Sequence, residues 1–365
     1  MTKLHDLHST AGQSPWMDFI RGDLLDNGEL AGWVQQGLRG MTSNPTILEQ
    51  AIAKSDIYKK QIQELSAAGN SPVQIYEQIA TEDIRKACDI LHTVYDAAGG
   101  HDGYVSLEVS PYLSHDRQGT VDEALRLREV VARPNLMIKV PATEEGLEAI
   151  AELTYLGVNV NVTLIFGQAD YSKVMEAYLL GLEKRAAEGL PLNGIDSVAS
   201  VFISRMDVTV NQLLQGRLQN QVSGKVAIAN ARFIYQLFAD TFASARFRHL
   251  RSQGANVQRP LWASTGTKDP ALKDVLYVDA LVAPETVNTM PVQTLLAFLN
   301  HGTVERDAVR LKDEDQEILQ LVASAGVNLD EVGLELKEIG LQQFAESFNN
   351  LIRTIEQVCS TVDLL

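Results

Sequence analysis

The sequence predicts an α/β fold, a (β/α)8 TIM barrel with additional C-terminal helices. Three observations lead there. Eight short β-like runs alternate with amphipathic helical patterns. Polar side chains gather at the C-terminal ends of those runs, where barrels of this kind place their chemistry. Beyond residue 285 the pattern turns helical throughout, as in "DEDQEILQLVASAG" and "LQQFAESFNNLIRTIEQV".

The strands are expected at 15–20 (PWMDFI), 38–42 (LRGMT), 103–109 (GYVSLEV), 135–140 (NLMIKV), 158–165 (VNVNVTLI), 197–203 (SVASVFI), 259–264 (RPLWAS) and 275–282 (VLYVDALV). Between the second and third, "SPVQIYEQIATEDIRKACDILHTVYDAAGG" sets Ile79, Ile84, Cys88, Leu91 and Tyr95 on one helical face, and Gly99–Gly100 ends it. "TVDEALRLREVVARP" is expected to start at a Thr120 cap with acids in its first turn and to stop before Pro134. A third helix runs through "QADYSKVMEAYLLGLEKRAAEG". No fixed-period repeat or linker interrupts the order. Residues 1–365 therefore read as one domain, with 285–365 a helical C-terminal extension.

Bulk composition narrows the function. The chain is 45% hydrophobic and 21% charged, ordinary for a globular protein. Its net charge of −16 argues against nucleic acid or an anionic membrane as partner, though a local basic site for a small anion remains compatible. Cys88 and Cys359 are too few and too far apart for a disulfide scaffold. The N-terminus lacks an apolar signal core, and no apolar run reaches the length of a membrane span. A cytoplasmic location is the expectation. The seven histidines are scattered without metal-ligand spacing, and neither a Walker A nor a strand-linked G-x-G-x-x-G is present. No cofactor or metal is expected.

The polar strand ends carry the functional information. In "VNVNVTLIF", Val158, Val160 and Val162 alternate with Asn159, Asn161 and Thr163. Side chains alternate faces along a strand, so the valines would face the helices and Asn161 and Thr163 the barrel axis. An edge strand with one wet face would give the same pattern. Asp18, Asn44, Glu108, Lys139, Ser200, Arg205, Ser264 and Lys268 lie at or near the ends of other runs. Each has a plain alternative when taken alone. Asp18 could cap a helix, Asn44 before Pro45 could serve a turn, and Glu108 could be a solvated strand end. Converging strand ends would instead place all of them around one cavity. Lys139 is the sharpest case, an ammonium in the apolar run "NLMIKVPAT". Burial disfavours the charged form, and a neutral amine can attack a ketone to form a Schiff base. A structural salt bridge to Glu108 or Asp18 is the competing reading.

Six motifs occur in order: "GMTSNPTI" at 40–47, "VSLEV" at 105–109, "LMIKVPAT" at 136–143, "VNVTLIF" at 160–166, "SVFISRMD" at 200–207 and "LWASTGTKD" at 261–269. With them the chain resembles the transaldolase family, of the longer bacterial type, over nearly its full length. The resemblance implies a cofactor-independent class I aldolase mechanism with Lys139 as the Schiff-base lysine. It implies transfer of a dihydroxyacetone unit from a ketose phosphate, fructose 6-phosphate or sedoheptulose 7-phosphate, to an aldose phosphate, glyceraldehyde 3-phosphate or erythrose 4-phosphate, in the pentose phosphate pathway. Asp18 matches the family's acceptor of the C4 hydroxyl proton. Glu108 and Thr163 match the pair that holds a catalytic water. Asn44, Asn161 and Ser200 match groups that bind the dihydroxyacetone unit. Arg205 and Ser264 match the phosphate site.

One position departs from the family pattern. A second phosphate arginine expected two residues after Ser264 is Gly266 here; Lys268 or the backbone amides around Gly266 are the candidate replacements, with a solvated loop cation as the plain reading of Lys268. A fructose 6-phosphate aldolase-like enzyme is the nearest alternative. Those relatives resemble a shorter chain with glutamine and tyrosine at the positions of Glu108 and Phe202. A non-catalytic sugar-phosphate-binding barrel is the alternative of another class. The expected partners are small-molecule sugar phosphates, and the expected assembly is a monomer or homodimer.

Overall fold

A computed structural model describes residues 1–53 and 55–360. Eight parallel strands close a barrel in sequence order. They are β1 (Gln13–Asp18), β2 (Gly40–Thr42), β3 (Val105–Glu108), β4 (Leu136–Pro141), β5 (Val160–Ile165), β6 (Ser197–Phe202), β7 (Gln258–Ala263) and β8 (Thr286–Met290). β1 pairs with both β2 and β8, so the sheet has no edge. The first seven strands lie within two residues of their expected bounds. Their β-branched alternate positions explain this: Val160 and Val162 are fully buried against the helices.

The eighth strand is a correction. Residues 275–282 do not form it; a short helix, Leu276–Ala280, occupies that stretch. Buried Val275, Val278 and Val282 recur at helical spacing, and adjacent Tyr277 and Val278 are both buried, which a period of two cannot give. The true strand reads "TVNTM", with Asn288 and Thr289 buried. Its buried polar residues hid it among turn-like sequence. β8 thus lies inside the stretch read as a helical extension, and with helix Val292–His301 it completes the last βα unit.

The helix expected from Thr120 also begins earlier, at Arg117. The Asp116 carboxylate accepts the Gly119 N–H at 2.9 Å and caps it. The long helix Pro72–Ala97 opens with a Ser71–Gln74 capping box and a proline at its first turn.

Two helices follow the barrel, Asp313–Ser324 and Leu329–Ser360. The last has 32 residues, about 48 Å of helix, enough to cross the barrel mouth. It is fixed at several points. Buried Lys337 donates to the Ala142 carbonyl just past β4 at 2.8 Å and pairs with Asp170 at 2.9 Å. A Cβ on Gly340 would come within 2.7 Å of Leu164, so glycine permits the close approach to β5 there. Ser347 bonds Thr46 at 2.8 Å. Among the described residues no helix is long and apolar enough to cross a membrane.

Candidate active site

The strand ends and the last helix enclose a cavity of ≈ 510 Å³ at the C-terminal mouth of the barrel. Asp18, Asn44, Lys139, Ser200, Arg205, Ser264 and Lys268 all line it. Glu108, Asn161 and Thr163 do not line it; Glu108 stands against Lys139, and Asn161 bonds Ser200.

Lys139 is 3% exposed at the middle of the β4 terminus. Its Nζ donates to the Ser43 carbonyl at 3.2 Å and stands 3.3 Å from Glu108 Oε2. The carboxylate contact is ionic but not aligned as a hydrogen bond, for Oε2 has no hydrogen-bond partner among the described residues. The salt bridge weighed from sequence therefore exists. It leaves the carboxylate under-satisfied, because burial pushes the Glu108 carboxyl up and the Lys139 charge only partly offsets this. Glu108 is thus not a solvated strand end.

Asp18 ends β1 and accepts from the Thr42 hydroxyl at 2.6 Å. Burial raises its carboxyl above the usual range, against the opposing charges of Lys139, Arg205 and Lys268. It caps no helix, as the following helix is entered through Arg21 without a side-chain cap. Thr42 in turn bonds Thr289 of β8 at 2.7 Å, so a three-strand chain orients Asp18. Asn44 does cap: its Oδ1 accepts the Ile47 N–H at 2.9 Å at the start of helix Pro45–Ala53.

β5 behaves as its alternation predicts. Asn161 donates to Ser106 on β3 at 2.9 Å and accepts from Ser200 on β6 at 2.7 Å, fixing three strands at one level. Thr163 is fully buried, and its Oγ1 has no hydrogen-bond partner among the described residues. No contact joins it to Lys139 directly. Past it, Leu164 takes a left-handed φ of 59° where the β5–β6 register shifts.

Arg205 sits on the first turn of helix Ser204–Leu213 rather than on β6 itself. Its guanidinium lies 5.3 Å from the Phe202 ring centroid and donates to Gln343 Oε1 at 3.0 Å. Burial lowers its proton affinity and Asp18 partly restores it. Ser264 adopts φ 56° and bonds the Ser204 hydroxyl at 2.9 Å, tying the ends of β6 and β7 together. Lys268 is exposed on the loop beyond, yet its charge reaches Asp18. At Gly266 a Cβ would meet Thr294 Oγ1 at 3.0 Å, so the position is backed by the helix after β8.

Sequence reasoning missed Thr42, Thr289, Gln343 and Phe344. The Phe344 ring centroid lies 5.7 Å from Lys139 Nζ, and both residues line the cavity. Nothing in the pattern of the last helix separates Phe344 from an ordinary buried face or Gln343 from an ordinary exposed one. Thr289 was lost with the misplaced eighth strand.

A closed barrel whose strand ends bring a buried amine and the Asp18 carboxylate to a polar cavity, with Glu108 against that amine, is built as an enzyme. The chain belongs to the transaldolase/fructose-6-phosphate aldolase family, whose model matches residues 15–355. It is 46% identical to a transaldolase of Saccharopolyspora erythraea over 352 residues, covering 96% of each chain. It is 45% identical to a transaldolase of Frankia alni, over 96% of this chain and 95% of that one. A transaldolase of Neisseria gonorrhoeae is 43% identical over 96% of this chain and 99% of its own. The chain is accordingly a transferase with transaldolase function.

Proposed function

We propose that this enzyme moves a dihydroxyacetone unit between sugar phosphates through a Schiff base on Lys139. The carrying observation is the buried Lys139 amine, 3.3 Å from Glu108, opening into the cavity at the barrel mouth. The amine attacks the C2 carbonyl of fructose 6-phosphate or sedoheptulose 7-phosphate, and loss of water from the carbinolamine gives the iminium. Asp18 accepts the C4 hydroxyl proton as the C3–C4 bond breaks. Its raised proton affinity suits a base. The aldose phosphate leaves, and the electron pair stays on the lysine-bound unit as an enamine. The enamine carbon then attacks the aldehyde of glyceraldehyde 3-phosphate or erythrose 4-phosphate, Asp18 returns the proton, and water releases the new ketose.

Glu108 and Thr163 act on the proton transfers between carbinolamine and imine. Glu108 Oε2 and Thr163 Oγ1, both without hydrogen-bond partners among the described residues, stand on the two strands flanking β4, and a water between them would satisfy both. Asn44 has its oxygen occupied by the helix cap, which leaves its amide N–H groups for a substrate hydroxyl. Asn161 and Ser200 hold the same unit. Arg205, Ser264 and Lys268 bind the phosphate, with Arg205 supplying the planar fork. The enzyme works in the cytoplasm, without a cofactor, as a monomer or homodimer.

Borohydride trapping tests this. The protein is incubated with fructose 6-phosphate and reduced, and the modified peptide is mapped by mass spectrometry. A three-carbon adduct on Lys139, discharged by erythrose 4-phosphate added before reduction, is expected. An adduct on another lysine, or none with intact substrate, would overturn the assignment. An adduct that drains to free dihydroxyacetone despite the acceptor would favour simple aldolase behaviour.

A further inference from the structure

Arg205 is held by an uncharged partner. Gln343 of the last helix accepts one of its N–H groups at 3.0 Å, and the other contact is the Phe202 ring. Among the described residues no carboxylate lies within ion-pair distance of it. That is unusual company for a half-buried arginine in a chain of net charge −16. Gln343 itself is well anchored, because Lys337 and Ser347 fix the same helix on either side of it. Gly266 stands where the family resemblance leads one to expect a second arginine, and Lys268 is exposed. Among the described residues, Arg205 is thus the one guanidinium lining the cavity.

We propose that Gln343 is a positioning residue for phosphate recognition, which orients Arg205 through a neutral amide and so leaves its guanidinium without a direct ion-pair partner before the substrate binds. The proposal rests on the transaldolase reading above. A free arginine explores many rotamers and loses that freedom on binding, whereas one N–H fixed in advance aims the rest of the fork. A carboxylate at the same place would orient Arg205 equally well but would bind it as a salt bridge and compete with phosphate. The amide therefore separates orientation from neutralisation, a distinction that matters most in a site with a single arginine.

Gln343→Glu, nearly isosteric, and Gln343→Ala test this in the full-length protein. Inorganic phosphate affinity is titrated by calorimetry, and kinetics are measured with fructose 6-phosphate. Trapping of unphosphorylated dihydroxyacetone on Lys139 serves as the control. Gln343→Ala is expected to raise the KM for fructose 6-phosphate about fivefold, the loss of one hydrogen bond. Gln343→Glu should weaken phosphate and raise that KM by more than about tenfold, because the new ion pair must be broken. In both variants kcat falls much less than KM rises, and dihydroxyacetone trapping keeps its rate. Phosphate affinity unchanged in Gln343→Glu would overturn the proposal. So would equal losses with phosphorylated and unphosphorylated compounds, which would mean a collapsed site. If the unaltered enzyme fails to transfer from fructose 6-phosphate, the transaldolase chemistry falls instead, and the phosphate titration still decides the role of Gln343.

Discussion

At the base of the barrel, Asp102 lies buried just before β3. Ser14 and Arg39 donate to its Oδ2, while Trp16 and the Gly103 N–H donate to its Oδ1 at 3.0 and 3.1 Å. At the mouth, the Glu108 side chain is nearly as buried at the end of the same strand, with an ionic contact to Lys139 and an oxygen left without a hydrogen bond among the described residues. Burial alone would raise both carboxyls. At Asp102 the charges of Arg259 and Arg39 and the serine hydrogen bond overcome it, and the carboxyl ends below its usual value. At Glu108 burial wins, and the carboxyl ends above it. One fold therefore holds two buried carboxylate–cation pairs of opposite character. The saturated pair closes the barrel, and the under-satisfied pair faces the chemistry. What separates structure from function here is the number of donors around the acid, not its depth.

The comparison breaks first at Lys139. Lys139→Ala removes the nucleophile, and turnover should fall by at least about four orders of magnitude. The fold should survive, since burial already raises the Glu108 carboxyl, and its neutral form tolerates the loss of the cation. Circular dichroism and thermal melting beside the assay check both halves. Residual turnover within tenfold of the unaltered enzyme would place the chemistry on another group.

Asp102→Asn should do the reverse. It orphans Arg39, removes the negative charge facing Arg259, and should lower stability by about 3 kcal/mol, the low end for breaking a buried pair because Arg39 stays partly solvated. Urea unfolding measures this. The kcat of the folded fraction should not change, as Asp102 lies at the other end of the barrel. A variant that kept its stability would show that the base network is ornament rather than closure.

Those two residues also mark what the sequence could and could not reveal. Lys139 is legible because a cation in an apolar strand violates a pattern, and violations are informative. Seven strands were legible for the same reason in reverse, since their alternation or apolarity obeyed a period. Asp102 was not singled out: before a strand, in "GGHDGY", an acid is ordinary, and only closure of the barrel brings Ser14, Arg39 and Arg259 to it. β8 failed because buried polar residues in "TVNTM" look like a turn while the helical "LYVDA" looks like a strand. Gln343 and Phe344 failed because the side that the last helix turns toward the cavity depends on how it crosses the mouth. No local pattern encodes that crossing.

Glu108→Gln sharpens the comparison at intermediate size. The amide keeps the shape but cannot exchange a proton, so turnover should fall about 100-fold, within the usual worth of general acid–base catalysis. Pre-steady-state trapping should locate the loss in iminium formation. A loss confined to carbon–carbon cleavage would assign Glu108 to a different step and leave proton exchange to another group.

The smallest effect is the most specific, because it reads the sign of the two environments directly. Asp102 has a depressed folded-state proton affinity, so its stabilisation is complete above the unfolded value of 3.8 and is lost as pH falls through the folded one. The deficit of Asp102→Asn should therefore close as urea unfolding is carried below pH 3.8. Glu108 has a raised one, so its favourable contribution is complete below the unfolded value of 4.5 and is lost as pH rises through the folded one. Glu108→Gln lacks that titration, and its stability relative to the unaltered enzyme should rise as pH climbs from 4.5 toward neutrality. Opposite slopes from two carboxyls on either end of β3 are the expectation. Parallel slopes would mean that Lys139 compensates Glu108 as fully as the arginines compensate Asp102. The mouth of the barrel would then be a second closure, and the reactivity of Lys139 would need a source other than an under-satisfied neighbour.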